Sequence, residues 1–179
     1  PFQNNAPNIL FHHITFQNLK TKLEQQYNIS IPKHIPYKLC DFRPAYGEIF
    51  YEIIKEYDFW GYGDIDLIYG NLSTFLTEKV LKNYDIICFR PNHLHGPFTI
   101  YRNTPFINTL YKRVENYKEI FEDVNYQSFD EFGNQEFHLD LSIDISHFNN
   151  SCISTIALKA QKNKEISLYM QLHSKEQLC

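Results

Sequence analysis

Residues 57–70 read YDFWGYGDIDLIYG, an aromatic, apolar run that passes without a break into Gly63-Asp64-Ile65-Asp66. The ring-rich part, residues 57–62, has the composition of a buried strand. The acidic part has no place in a core. A strand that ends on two carboxylates predicts a site beyond the carboxyl end of a sheet strand, where α/β proteins hold their ligands.

If the backbone stays extended there, residues two apart point the same way, so Asp64 and Asp66 aim at one point. Two like charges that close repel unless something positive lies between them. Mg2+ or Mn2+, shared with a substrate diphosphate, meets that need with oxygen ligands. The spacing alone decides little. With nine Asp in the chain, a D-x-D match arises by chance in roughly one such sequence in two. A solvated turn, with Asp capping the next element, explains it equally well.

Outward from this stretch the chain alternates strand and helix signals. Residues 8–14 (NILFHHI) read as a short strand. Thr15 then caps a helix with Phe16, Leu19, Leu23 and Tyr27 on one face. Asp41 reads as the cap of a second helix, with Pro44 in its first turn and Ile49, Phe50, Ile53 and Ile54 as its apolar face. Residues 74–83 read as a short helix. Residues 85–90 (DIICFR) and 98–102 (FTIYR) read as strands around the loop 91–97 (PNHLHGP). Thr104 and Pro105 start a helix that buries Ile107, Leu110, Tyr111, Val114 and Tyr117. Residues 129–133 read as a loop and 166–172 as a last strand. The alternation predicts one α/β domain over residues 1–179, a sandwich around a mainly parallel sheet.

Composition excludes several classes. A length of 179 residues suits one core, and 43% hydrophobic with 21% charged residues is ordinary for a globular protein. The net charge is −4 with no dense Lys/Arg cluster, which argues against nucleic acid as a partner. No apolar run has the length of a membrane span, and no basic start with an apolar middle marks a signal peptide. Cys40, Cys88, Cys152 and Cys179 are scattered without a C-x-x-C pair and read as reduced thiols of a cytosolic protein. Aromatic residues reach 16%, which suits a pocket that holds rings and sugars.

Four ordered blocks go beyond the D-x-D. They are residues 37–47 (YKLCDFRPAYG), 59–66 (FWGYGDID), 95–103 (HGPFTIYRN) and 129–131 (FDE). Together they resemble a family of bacterial glycosyltransferases found with capsule and lipopolysaccharide biosynthesis. The resemblance runs from about residue 8 to about residue 131. That family is similar in layout to GT-A enzymes, α/β/α sandwiches that use a D-x-D motif.

The resemblance implies a nucleotide-sugar donor, a glycan or lipid-linked acceptor, and Mn2+ or Mg2+ at Asp64 and Asp66. It implies a cytoplasmic protein, free or peripheral at the inner membrane face. Lys38 matches a basic position that reaches the donor, and Arg43 is a second candidate, since either offsets diphosphate charge. Asp41 matches a residue that bonds ribose or base, while helix capping explains it equally well. The His93-x-His95-Gly96 loop lies where such enzymes meet a sugar, and Gly96 leaves room for close backbone approach. Asp130 and Glu131 match the acidic position that faces the acceptor, a general base in an inverting enzyme. A third metal ligand is expected late in the chain. Gln171 stands at that place, and His173 lies two residues on. The opening strand-helix unit of that layout, roughly 30 residues, has no counterpart before residue 8. A non-catalytic domain of the same layout that binds a glycan or a partner is the competing expectation.

Overall fold

Strand β1 (Phe59–Gly63) forms in the stretch quoted first and runs antiparallel to β3 (Phe98–Arg102), with Trp60 opposite Tyr101 and Tyr62 opposite Thr99. Trp60 and Tyr101 stack with ring centroids 4.6 Å apart, and the Tyr62 and Tyr101 hydroxyls meet at 3.2 Å. Such cross-strand pairs fix the register, because a one-residue slip would turn both rings to the wrong face. Between β3 and β4 (Leu168–Met170) lies β2 (Ile86–Cys88), whose three residues are buried on both faces.

These observations come from a computed structural model that describes residues 7–32, 36–133 and 148–171. Among them the sheet has four strands in the order β1-β3-β2-β4, mixed and open, with helices packed around it. The protein is therefore mixed α/β. The expectation of a mainly parallel sheet does not hold for these strands. Both β1/β3 and β2/β3 are antiparallel, and only β2/β4 is parallel. The reason is connection length. Parallel neighbours need a crossover of about a dozen residues or more, and residues 89–97 between β2 and β3 are too few.

Helix α1 (Phe16–Tyr27) forms as expected. The Thr15 hydroxyl accepts the Asn18 N–H at 3.1 Å, and Leu23 and Tyr27 enter the core. The strand expected over residues 8–14 does not form. That segment has no regular structure and lies exposed, and no strand among the described residues pairs with it. The helix expected after Asp41 is broken into a 3-10 helix (Pro36–Ala45), α2 (Tyr46–Ile49) and α3 (Tyr51–Ile54). Pro44 lies inside the 3-10 helix, where its missing N–H and its ring oppose α geometry. Likewise the helix expected from Thr104 becomes α5 (Pro105–Asn108), a 3-10 turn (Leu110–Arg113) and α6 (Tyr117–Glu122). The Thr109 hydroxyl donates back to the Pro105 carbonyl at 2.7 Å, which competes with continuing the helix. Residues 74–83 give a short turn and α4 (Glu78–Asn83).

Helix α7 (Ile153–Lys162) is the element that sequence patterning missed. Ile153, Ser154, Thr155, Ile156, Ala157 and Ala160 are all buried, so its apolar stripe is widened by small polar residues. It lies in the crossover that makes β4 parallel to β2.

Gly47 shows how closely the helical layer sits on the sheet. An added Cβ would stand 2.6 Å from Asn108 Oδ1 and 2.7 Å from the Trp60 ring, which bond each other at 2.7 Å. Alanine in place of glycine ordinarily favours a helix. Here Gly47→Ala is expected to cost about 1–3 kcal/mol in urea unfolding, through overpacking. An unchanged midpoint would show that Trp60 and Asn108 give way freely.

Candidate functional site

The four sequence blocks converge on one side chain, Arg43. It leaves the 3-10 helix just before Pro44 and spans three other segments. Its Nη1 donates to the Gly96 carbonyl at 2.8 Å and to Asp130 Oδ2 at 3.0 Å, and its Nη2 pairs with Asp64 Oδ1. The guanidinium also lies 5.5 Å from the centre of the Tyr62 ring, on the inward face of β1.

The loop around Gly96 sets the register of this cluster. The Gly96 carbonyl takes Arg43, and the next carbonyl, of Pro97, takes the Asp64 N–H at 2.9 Å. Arg43 and Asp64 are thus fixed to neighbouring peptide groups. The Gly96 N–H donates to Glu131 Oε1 at 3.0 Å. A Cβ at Gly96 would stand 2.7 Å from that oxygen, so the close approach expected of this glycine is taken by Glu131. The loop is held from below as well. Cys88 Sγ and Thr99 Oγ1 each accept the His95 N–H at 3.2 Å, and Ser154 Oγ at the start of α7 accepts the Leu94 N–H at 2.9 Å.

Asp130 and Glu131 are positioned by the same helix. The Ile153 N–H donates to the Phe129 carbonyl at 3.0 Å, and the Ser154 N–H to the Glu131 carbonyl at 3.3 Å. Ser128, just upstream, has φ +51, an unfavourable conformation for a non-glycine residue at the edge of a functional cluster. Asp130 is fully buried and accepts the Tyr126 hydroxyl at 2.7 Å. Burial pushes its carboxyl up to about 7, against the lowering effects of the Tyr126 hydrogen bond and the Arg43 charge. Glu131 and Asp41 add to the rise. Burial by itself would depress the Arg43 guanidinium, but Asp130 and Asp64 hold its proton more firmly than usual.

Lys38 and Asp41 form a second ion pair, at 2.8 Å, that lies inside the protein. The Lys38 ammonium is 1% exposed and also donates to the Asn125 carbonyl at 2.9 Å. Asp41 neither caps a helix nor faces solvent. Its two oxygens accept the Gln127 and Phe129 N–H groups, each at 2.9 Å. The pair therefore ties the 3-10 helix to residues 125–129 and sets the position of Asp130. Lys38 in this arrangement has no route to a donor phosphate.

The D-x-D geometry also differs from the extended form. Strand β1 ends at Gly63, and residues 64–67 turn, with the Leu67 N–H directed at the Asp64 carbonyl over 3.4 Å. Asp64 is half-buried and turned to Arg43, while Asp66 is exposed. The positive charge that a carboxylate pair requires is supplied by Arg43, and the carboxylate sharing it with Asp64 is Asp130. Among the described residues no group of three or more His, Cys, Asp or Glu is placed to hold a metal. His173 lies outside the described residues. Asp64 and Asp66 still suit a hard divalent cation in chemistry: two carboxylates on one turn, one of them exposed, would leave most positions for water and phosphate oxygens. His93 and His95 are both buried, with His93 Nδ1 2.9 Å from Asn92 Oδ1.

Tyr126, Ser154 and Cys88 are site residues that the sequence did not reveal. Nothing in their spacing marks them, since each reaches the cluster only through the fold.

An α/β protein with an arginine-centred acidic cluster at the end of an edge strand is thus defined. The chain belongs to a family of unknown function, DUF6625, whose sequence pattern matches residues 1–177. No curated protein and no solved structure matches it significantly. No helix among the described residues is long and apolar enough to cross a membrane.

Asp130 makes a pH prediction. Its folded value lies above the ordinary 3.8, so the native state keeps the proton after the unfolded chain has lost it. Stability from this group is full below about pH 4, falls as pH rises towards about 7, and is level above. Across that window wild type should lose on the order of 4 kcal/mol relative to Asp130→Asn in denaturant unfolding. A gain by wild type over the same window would mean that Arg43, and not burial, sets the Asp130 carboxyl.

Proposed function

We propose that this chain is a GT-A-like glycosyltransferase domain. It moves a sugar from a nucleotide-diphosphate donor to a glycan or lipid-linked acceptor in bacterial surface polysaccharide synthesis. The observation that carries this reading is the meeting of all four family-like blocks at Arg43. A cation flanked by the D-x-D turn and an acidic loop suits a diphosphate leaving group beside a proton acceptor. A Mn2+ or Mg2+ ion held by Asp64 and Asp66 would add Lewis-acid neutralisation of the leaving diphosphate.

In this reading the protein's own groups divide the work. Arg43 binds and neutralises the donor diphosphate. Asp130, being buried, positions Arg43 and touches no substrate. Glu131 is the half-buried carboxylate of the pair, with one oxygen on the Gly96 N–H, and it acts as general base. The acceptor hydroxyl oxygen bonds to the anomeric carbon, the bond from that carbon to the diphosphate breaks, and Glu131 takes the hydroxyl proton. The expected roles of Asp130 and Glu131 are thereby separated. The setting is cytoplasmic, with lipid-linked acceptors reached at the inner membrane face.

One observation favours a non-catalytic glycan-binding domain as the second reading. Arg43 already pairs with both Asp64 and Asp130, so the cluster has internal partners without a ligand.

Calorimetry with UDP- and GDP-sugars, with and without Mn2+, tests the proposal. Metal-dependent binding of one donor class is expected. Glu131→Gln, which preserves the acceptor for Gly96, should retain donor binding while turnover falls about 100-fold or more. Glycan binding without any donor binding would establish the second reading instead, and unchanged turnover in Glu131→Gln would remove the base.

A further inference from the structure

We propose that Arg43 is a built-in counter-ion that occupies Asp64 until a divalent cation replaces it, releasing one guanidinium nitrogen for a diphosphate. The inference rests on the donor-binding reading above and adds a coupling between the two ligands.

The geometry separates the two ends of the guanidinium. Nη1 is anchored inward by the Gly96 carbonyl at 2.8 Å and by fully buried Asp130 at 3.0 Å. Nη2 faces outward to Asp64, whose side chain is 29% exposed against 16% for Arg43. Rotation of Asp64 alone therefore frees Nη2 while the inner anchor stays in place. The neighbouring Gly96 and Pro97 carbonyls hold the Arg43 guanidinium and the Asp64 backbone N–H, so the contact is made by the fold and not by two wandering surface chains. Asp66 in the same turn is exposed.

The consequence is a competition with a definite sign. A cation binding alone must take Asp64 from Arg43, which weakens it. A diphosphate binding alone must take Nη2 from Asp64 and stand beside two carboxylates, which weakens it too. Bound together, each relieves the cost of the other, and linkage makes the coupling reciprocal. An arginine that served only to hold the loop in place would show no such competition.

The test uses Mn2+ alone, followed by the loss of its free-ion paramagnetic resonance signal, and UDP alone, followed by calorimetry. Arg43→Lys keeps a cation against Asp130 and leaves the net charge unchanged, but one ammonium cannot span Gly96, Asp130 and Asp64 together. It should bind Mn2+ without nucleotide about fivefold or more tightly than wild type. Asp64→Asn, at a half-exposed position, should lose Mn2+ binding yet take metal-free UDP several-fold more tightly, because Nη2 is released. Binding of Mn2+ with UDP by wild type, with no tightening in Arg43→Lys or Asp64→Asn, overturns the counter-ion and leaves the donor reading standing. Failure of every form to bind either ligand overturns both.

Discussion

One guanidinium joins four separate stretches of chain: Arg43 reaches Asp64, Gly96 and Asp130 and lies against Tyr62. The surrounding structure is arranged so that this contact can be made. Buried Lys38 and Asp41 hold residues 125–129, the start of α7 holds residues 129–131 and 94, and β1 and β3 hold Asp64 against the Pro97 carbonyl. Buried ion pairs of this kind contribute little net stability, because desolvation offsets most of the attraction. Breaking one by removing a single partner is costly. Their retention beside a solvent-facing acidic turn is better explained by positioning than by stability.

The cluster also shares its one positive charge unevenly. Arg43 is shared by two carboxylates in different environments. Asp130 is buried, and burial holds its proton to about pH 7, while Asp64 stands at the surface. The inner contact is thus the fixed one and the outer contact the exchangeable one. That asymmetry gives the cluster an inner and an outer side, and in the proposed function the donor approaches from the side of Asp64.

Much of this was legible in the sequence. The apolar run into Asp64 marked β1 and its end, and Arg43, Gly96, Asp130 and Glu131 stood in ordered blocks. Their partners were not legible. No rule of spacing reveals that Arg43 faces Asp64 and Asp130 at once, since the residues are 21 and 87 positions away. Lys38 matches a donor-reaching basic position of the resembled family, and only the fold shows Asp41 and the Asn125 carbonyl around it. The alternation of strand and helix signals suggests a mainly parallel mixed sheet, but the nine residues between β2 and β3 are too few for a crossover. Helix α7 is hard to read because Ser154 and Thr155 interrupt its apolar pattern; both are buried, Ser154 accepting the Leu94 N–H and Thr155 donating to the Cys152 carbonyl.

The most direct measurement of the central claim is a double-mutant cycle between Arg43 and Asp130. It is run in urea at pH 8, where the carboxyl is charged, with Arg43→Gln, Asp130→Asn and the double variant. A coupling energy on the order of 1.5–3 kcal/mol is expected for a buried, hydrogen-bonded pair. A value below about 0.5 kcal/mol would show that the two side chains act independently, and would contradict Arg43 as the residue that joins the site.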